Sequence, residues 1–159
     1  MKKTENNRSY HDWIDTLPRA ASIDFKLRIS AQLLNRYWQT VLDDHSLTTA
    51  QWGILAAVSA TDGITYSRIK ERLQQLGGTT SALVEDLDSR KLLKKQQDKI
   101  DKRVWRIYLT PAGKRLVQKL APQVQKHRED IYSCFTKQQQ KELSQALDVL
   151  ITKLFAFQD

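Results

Sequence analysis

The chain has 159 residues, 40% of them hydrophobic and 28% charged, and a formal net charge of +8. That mixture fits a globular domain rather than a disordered or collagenous chain, and no apolar run approaches the roughly 18–20 residues needed to cross a bilayer. A single cysteine, Cys134, excludes an internal disulfide and a cysteine-rich zinc site.

The opening stretch Met1–Asn7 turns polar where a signal peptide carries its apolar segment, so a cytosolic location with no membrane partner is expected. Residues 1–22 are polar apart from Trp13, Ile14 and Leu17 and break at Pro18, which fits a short helix or arm. From Ser22 or Asp24 a long helix is predicted. Ile29, Leu33, Tyr37 and Val41 recur every four residues, with Leu34, Trp38 and Leu42 beside them, up to about Asp43-Asp44-His45. Thr48-Thr49-Ala50-Gln51 reads as a capping box. The helix it opens is apolar nearly all round (Trp52, Ile54, Leu55, Val58), so it should be buried, and Asp62-Gly63 stops it. Thr65 caps a third helix through Ile69 and Leu73. Gly77-Gly78 makes a turn, and Thr79 or a neighbour opens a fourth helix through Leu83, Val84 and Leu87.

Beyond Arg90 the period changes to two. Trp105, Ile107 and Leu109 share one face of a strand, with Val104, Arg106 and Tyr108 on the other. Leu92–Gln96 is the partner strand and Gln97–Lys102 the polar connection, so the segment is a hairpin with a basic tip. Thr110-Pro111 is a helix start, a side-chain cap followed by proline at the first helical position. The helix that follows carries Leu116, Leu120, Val124, Ile131 and Phe135, with a kink expected at Pro122. Thr136 and Gln139 form a second capping box, opening a last helix with Leu143, Leu147, Leu150, Leu154 and Phe157.

The predicted fold is mainly α with a small β-hairpin wing (α+β): a winged helix-turn-helix at 48–110, flanked by dimerisation helices at 1–47 and 111–159 in one compact protomer. The flanking amphipathic helices keep apolar faces that need a partner. A homodimer supplies one, and it suits a helix-turn-helix that reads a symmetric, pseudo-palindromic site on double-stranded DNA. The charge is concentrated to match. Residues 1–63 balance at 7 basic and 7 acidic, residues 64–110 carry 11 against 6, and residues 111–159 carry 8 against 5. Positions 90–106 alone hold eight basic side chains against Asp98 and Asp101, an electrostatic footprint for a polyanion.

Four pieces in order carry a resemblance. Leu47-Thr48-Thr49-Ala50-Gln51-Trp52-Gly53-Ile54-Leu55 resembles the second helix of the MarR family. Leu73, Thr79-Thr80-Ser81 and Leu83-Val84-Glu85-Asp86-Leu87 resemble its recognition helix. Asp101-Lys102-Arg103 is similar to the acidic-basic signature of its wing, and Leu109-Thr110-Pro111-Ala112-Gly113 to its closing Leu-Thr-x-x-Gly motif. The resemblance spans residues 47–113. It implies a triangular dimer, held by the first and last two helices, that regulates nearby genes. Many members release DNA on binding small aromatic compounds, oxidants or metals.

On that resemblance Arg103 sits at the wing tip and enters the minor groove, oriented by a salt bridge from Asp101, while Lys99 and Lys102 serve phosphates. Gly78, Thr79, Thr80 and Ser81 open the recognition helix, where small hydroxyls suit phosphates and base edges. Arg68 and Lys70 on the third helix are further phosphate contacts. Tyr37, Trp38 and Trp52 are candidates to line a pocket for a small aromatic effector. Two departures stand out: Ala82 where many relatives carry a basic residue, with Glu85, Asp86 and Asp88 following, and Lys91 where relatives usually end the helix with glycine. Lysine there costs roughly 1 kcal/mol if the backbone is left-handed. The histidines His11, His45 and His127 form no i, i+4 pair, so no metal or other cofactor is expected. Cys134 reads as a buried structural thiol rather than a sensor. No nucleophile–base pairing or phosphate loop points to an enzyme. The expected function is a dimeric DNA-binding regulator, a repressor answering to a small effector. The alternative is a winged-helix protein-interaction module without DNA binding, made conceivable by the acidic second half of the recognition helix.

Overall fold

The computed structural model describes residues 22–74 and 80–157, and the chain divides into two compact units, residues 1–49 and 50–159. The expected N-terminal arm, the Gly77-Gly78 turn and the candidate residues Gly78 and Thr79 lie outside the described residues.

In the first unit, helix α1 (Ser22–Leu42) carries Asp24 in its first turn, where a carboxylate complements the helix dipole. The helix tightens into a 3-10 turn at Asp43–His45 and ends at Ser46, which adopts a left-handed φ of 50°. The Gln39 amide nitrogen donates to Asp43 Oδ1 and to the Leu47 carbonyl, both at 2.8 Å, so the groups freed by that turn find partners. Val41, Leu42 and Leu47 are buried.

The second unit contains α2 (Thr49–Ala60), β1 (Ile64–Thr65), α3 (Tyr66–Gln74), α4 (Thr80–Ser89), β2 (Leu93–Gln97), β3 (Trp105–Leu109), α5 (Pro111–Tyr132) and α6 (Lys137–Phe155). The sheet is antiparallel with order β1-β3-β2. Ile64 stands opposite Ile107 and Leu93 opposite Leu109. Strand β1 is absent from the sequence expectation because two residues carry no periodicity. Thr65, read as a cap, is both: it pairs with Arg106 in the sheet, and its Oγ1 accepts from the Arg68 amide at 3.4 Å.

Ile54, Leu55, Val58, Ile69, Val84, Leu87, Leu93, Ile107 and Leu120 are essentially inaccessible. Burying each such aliphatic side chain contributes roughly 1.5–3 kcal/mol relative to exposure. Leu109 follows Ile107 into the interior, but Trp105 does not. At the outer end of β3 it remains 45% exposed, because only Gln97 lies opposite it and the core has already ended.

The joints around the hairpin depend on three positions. Gly63 stops α2 with φ at +71°, and a Cβ there would lie 2.9 Å from the Tyr108 hydroxyl. Lys91 has φ at 58°; its amide donates to Asp88 and that of Leu92 to Leu87, which is the Schellman closure of α4. That closure delays the strand, so β2 starts at Leu93 rather than Leu92. Gly113 sits against the hairpin base, where a Cβ would meet the Leu92 carbonyl oxygen at 2.1 Å.

Helix α5 opens as the sequence predicts. Thr110 accepts from the Gly113 amide at 3.0 Å with proline next in the chain, and the helix continues without a break through Pro122. Thr136 and Gln139 complete the second capping box at the start of α6. No residue of α6 is buried, and Leu143, Val149, Ile151, Leu154 and Phe155 stand exposed on it. Cys134, at the surface turn between α5 and α6, is exposed and donates to the Ile131 carbonyl at 3.3 Å. This corrects the expectation of a buried thiol.

Candidate nucleic-acid interface

The wing is the seven-residue connection between β2 and β3, and its shape comes from two aspartates. Asp98 Oδ1 accepts from the amides of Ile100 at 2.8 Å and Asp101 at 3.2 Å, an Asx-type turn, while its own amide donates to the Val104 carbonyl at 2.9 Å. Its Oδ2 takes a close charged hydrogen bond from Arg106 Nε. The Arg106 guanidinium beside it, helped by those two amides, holds the Asp98 carboxyl down at about 2. A second nitrogen of Arg106 donates to the Gly63 carbonyl at 3.1 Å. Arg106 therefore ties the hairpin to the loop that precedes α3.

The second aspartate faces the tip. Asp101 Oδ1 accepts from the Arg103 amide at 3.0 Å and from its Nε at 3.1 Å, and Oδ2 accepts from Nη2 at 3.4 Å. Arg103 holds the Asp101 carboxyl below the usual carboxylate range. The Arg103 side chain is nonetheless 91% exposed, so the pair orients the guanidinium without hiding it. Lys99, Ile100 and Lys102 are exposed on the same loop.

The remaining basic residues of 90–106 are not all alike. Arg90 pairs with Asp86 at 3.5 Å, Lys95 pairs with Asp88 at 3.7 Å, and Lys94 lies over the Tyr108 ring, 5.6 Å from its centroid. Arg106, counted from sequence as part of the basic footprint, commits Nε to Asp98 and one terminal nitrogen to Gly63. Charge counting misses this because it does not see which acid each base meets.

Helix α4 uses its acids differently. Asp86 Oδ2 accepts from the Gln51 amide at 2.7 Å, which joins α4 to α2, and with Asp88 on Lys95 both carboxylates are engaged within the fold. Ser81 and Glu85 are exposed at the start of this helix, whereas Thr80 turns inward and is buried. The expectation of consecutive hydroxyls on one surface therefore fails at Thr80, since successive helical positions point to different sides. Arg68 and Lys70 are exposed on α3.

A concave surface of about 450 Å³ lies between the first turns of α3 and α4 and the inner face of the wing; Tyr66, Ser81, Glu85, Lys95, Arg103 and Trp105 line it. Sequence reasoning, which put Trp105 on one strand face with Ile107 and Leu109, did not see this concavity. Of the residues proposed for an effector pocket, Tyr37 and Trp38 meet edge-on in α1 with ring centroids 6.1 Å apart, and Trp52 is half-buried in α2. Among the described residues no cluster of His, Cys, Asp or Glu has a metal-binding arrangement, and no helix is long and apolar enough to cross a membrane.

A short helix, a second helix presenting its first turn, and a basic hairpin folded beside them define the winged helix-turn-helix class. The comparisons narrow it. The profile of the MarR family matches residues 45–104. The chain is 24% identical over 123 residues to the uncharacterized HTH-type transcriptional regulator YsmB of Bacillus subtilis (strain 168), covering 77% of this chain and 84% of that one. It is similar in fold to S. aureus MepR in complex with DNA, with a TM-score of 0.77, 22% identity, and coverage of 86% of this chain and 99% of that one. It also resembles the PcaV regulator of Streptomyces coelicolor bound to its natural ligand, with a TM-score of 0.76, 21% identity, and coverage of 86% and 96%. Over residues 45–104 the chain is similar to the MarR family, and it shares the winged helix-turn-helix fold of these transcriptional regulators.

Proposed function

We propose that the protein is a homodimeric, cytoplasmic repressor that binds a pseudo-palindromic operator in double-stranded DNA and is released by a small aromatic effector. The observation that carries the DNA-contacting surface is Arg103, a cation 91% exposed at the wing tip yet held in orientation by Asp101. A narrow minor groove concentrates negative potential and favours such an arginine. Lys99 and Lys102 flank it for phosphates, and Arg68 and Lys70 serve the same purpose from α3. Ser81 takes a recognition position at the start of α4, with Thr80 left out because it is buried, and Gly78 and Thr79, which precede it in the sequence, remain candidates.

The exposed apolar residues of α6 and the exposed Ile23 and Leu33 of α1 are the surfaces a second copy would cover. For the effector, the Tyr37 and Trp38 aromatic pair of α1 remains the candidate contact, and the ligand-bound PcaV supports a small molecule in that role. The protein-interaction alternative is weakened, because Asp86 and Asp88 are engaged with Gln51, Arg90 and Lys95, which leaves Glu85 as the acid of that half with no such engagement described.

The test is a titration against the DNA upstream of the protein's own gene at two salt concentrations. A regulator binds that fragment in preference to a scrambled one and weakens steeply with salt as phosphate counterions are released. Binding with neither preference nor slope would favour the interaction module.

A further inference from the structure

The wing contains a continuous line of charged hydrogen bonds that ends on Arg103 but begins elsewhere. Gly63, whose carbonyl receives Arg106 at 3.1 Å, lies in the loop before α3. Arg106 holds Asp98, Asp98 holds the Asp101 amide at 3.2 Å, and the Asp101 carboxylate grips Arg103 at 3.1 Å. Each link restricts the next. Asp98 cannot swing while it accepts from Arg106 and two amides, so the backbone at Asp101 is fixed, and with it the carboxylate that orients the tip. Arg106 is a poor phosphate ligand in this state, since Nε and one terminal nitrogen are already engaged.

We propose that Asp98 and Arg106 are positioning residues for DNA binding, a relay that anchors the wing on Gly63 and aims Arg103 without touching DNA themselves. Without the relay, a seven-residue connection tipped by an arginine samples many conformations. Ordering it on binding then consumes part of the interaction energy. The inference rests on the DNA-binding reading above, and its first test does not involve DNA.

In the free protein, ¹⁵N relaxation should report rigid amides at residues 99–103 in the wild type and in R103A, and loosened ones in D98N and R106Q. An unchanged tip in D98N and R106Q overturns the relay whatever the DNA does. The second test is a double-mutant cycle against the upstream fragment. D98N and R106Q should each weaken binding about 5- to 10-fold, part of what R103A loses, and D98N should change R103A by less than about 2-fold because the two act on one interaction. The salt slope of R106Q should equal that of the wild type; a fall of about 1 would make Arg106 a phosphate contact and contradict the proposal. A wild type that binds no DNA with a salt slope would sink the parent reading alone, since the relaxation result stands apart from it. Should R106Q fail to fold, D98N carries both tests.

Discussion

The wing and helix α4 are built from similar residues and use them in opposite ways. In the wing, Asp98 and Asp101 face arginines, and the outcome is an arginine pushed outward and held in one direction. In α4, Asp86 and Asp88 also face bases, but the outcome is inward: Asp86 ties the helix to Gln51 on α2, and Asp88 neutralises Lys95 of the neighbouring strand. A carboxylate paired with a base is therefore not a sign of function or of structure in itself. What decides is whether the cation it holds still reaches solvent. The Arg103 side chain is 91% exposed, whereas that of Arg106, with two of its nitrogens engaged, is 41% exposed.

The joint at Gly113 underlies both regions, and it gives the largest expected effect. Gly113→Ala places a methyl 2.1 Å from the Leu92 carbonyl, a backbone atom that cannot step aside, so urea unfolding should show a loss of about 3 kcal/mol. If the variant is as stable as the wild type, the hairpin is not seated on α5 as described. Asp86→Ala separates the two regions more gently. It removes the tie to Gln51 and should cost roughly 1–2 kcal/mol of stability while leaving DNA affinity within twofold. A large loss of affinity in a stable D86A protein would instead make α4's acids part of the interface. Lys91→Gly should stabilise by roughly 0.5–1 kcal/mol in the same unfolding assay, because it relieves a left-handed φ of 58°.

The smallest effect is on pH. The Asp98 carboxyl, held at about 2 against an ordinary value near 3.8, stabilises the wing above that ordinary value and ceases to do so as pH falls toward 2. The amide signals of Ile100 and Asp101 should accordingly stay constant from pH 7 to 5 and shift only between about 4 and 2. A midpoint at the ordinary carboxylate value would show Asp98 unpaired.

Much of this architecture was legible in the sequence because the signals are local. The period of four in α1, the period of two in β3, the Thr110-Pro111 start and the Thr136 capping box each depend on neighbours in the chain, while the left-handed position at Lys91 was raised by the resemblance. The misses all depend on partners distant in sequence or on where the core ends. Strand β1 exists only because Ile64 finds Ile107. Trp105 continues the apolar alternation past the last residue that has anything to pack against. Arg106 looked like one more surface cation until Gly63, 43 positions earlier, met its second nitrogen. The candidate site divides the same way. The wing pair Asp101 and Arg103 lies two residues apart and was implied by the resemblance, whereas the inward turn of Thr80 and the concave face shared by Ser81 and Trp105 needed the packed helices.

The central claim is that the oriented wing, more than the opening of α4, grips the DNA. Binding of the upstream fragment by Arg103→Ala and Ser81→Ala, measured side by side in one buffer, tests it most directly. The account predicts a loss of about 1–3 kcal/mol for R103A and under about 1 kcal/mol for S81A, with both proteins as stable as the wild type. Unchanged affinity in R103A alongside a large loss in S81A would contradict it and move the grip to the recognition helix.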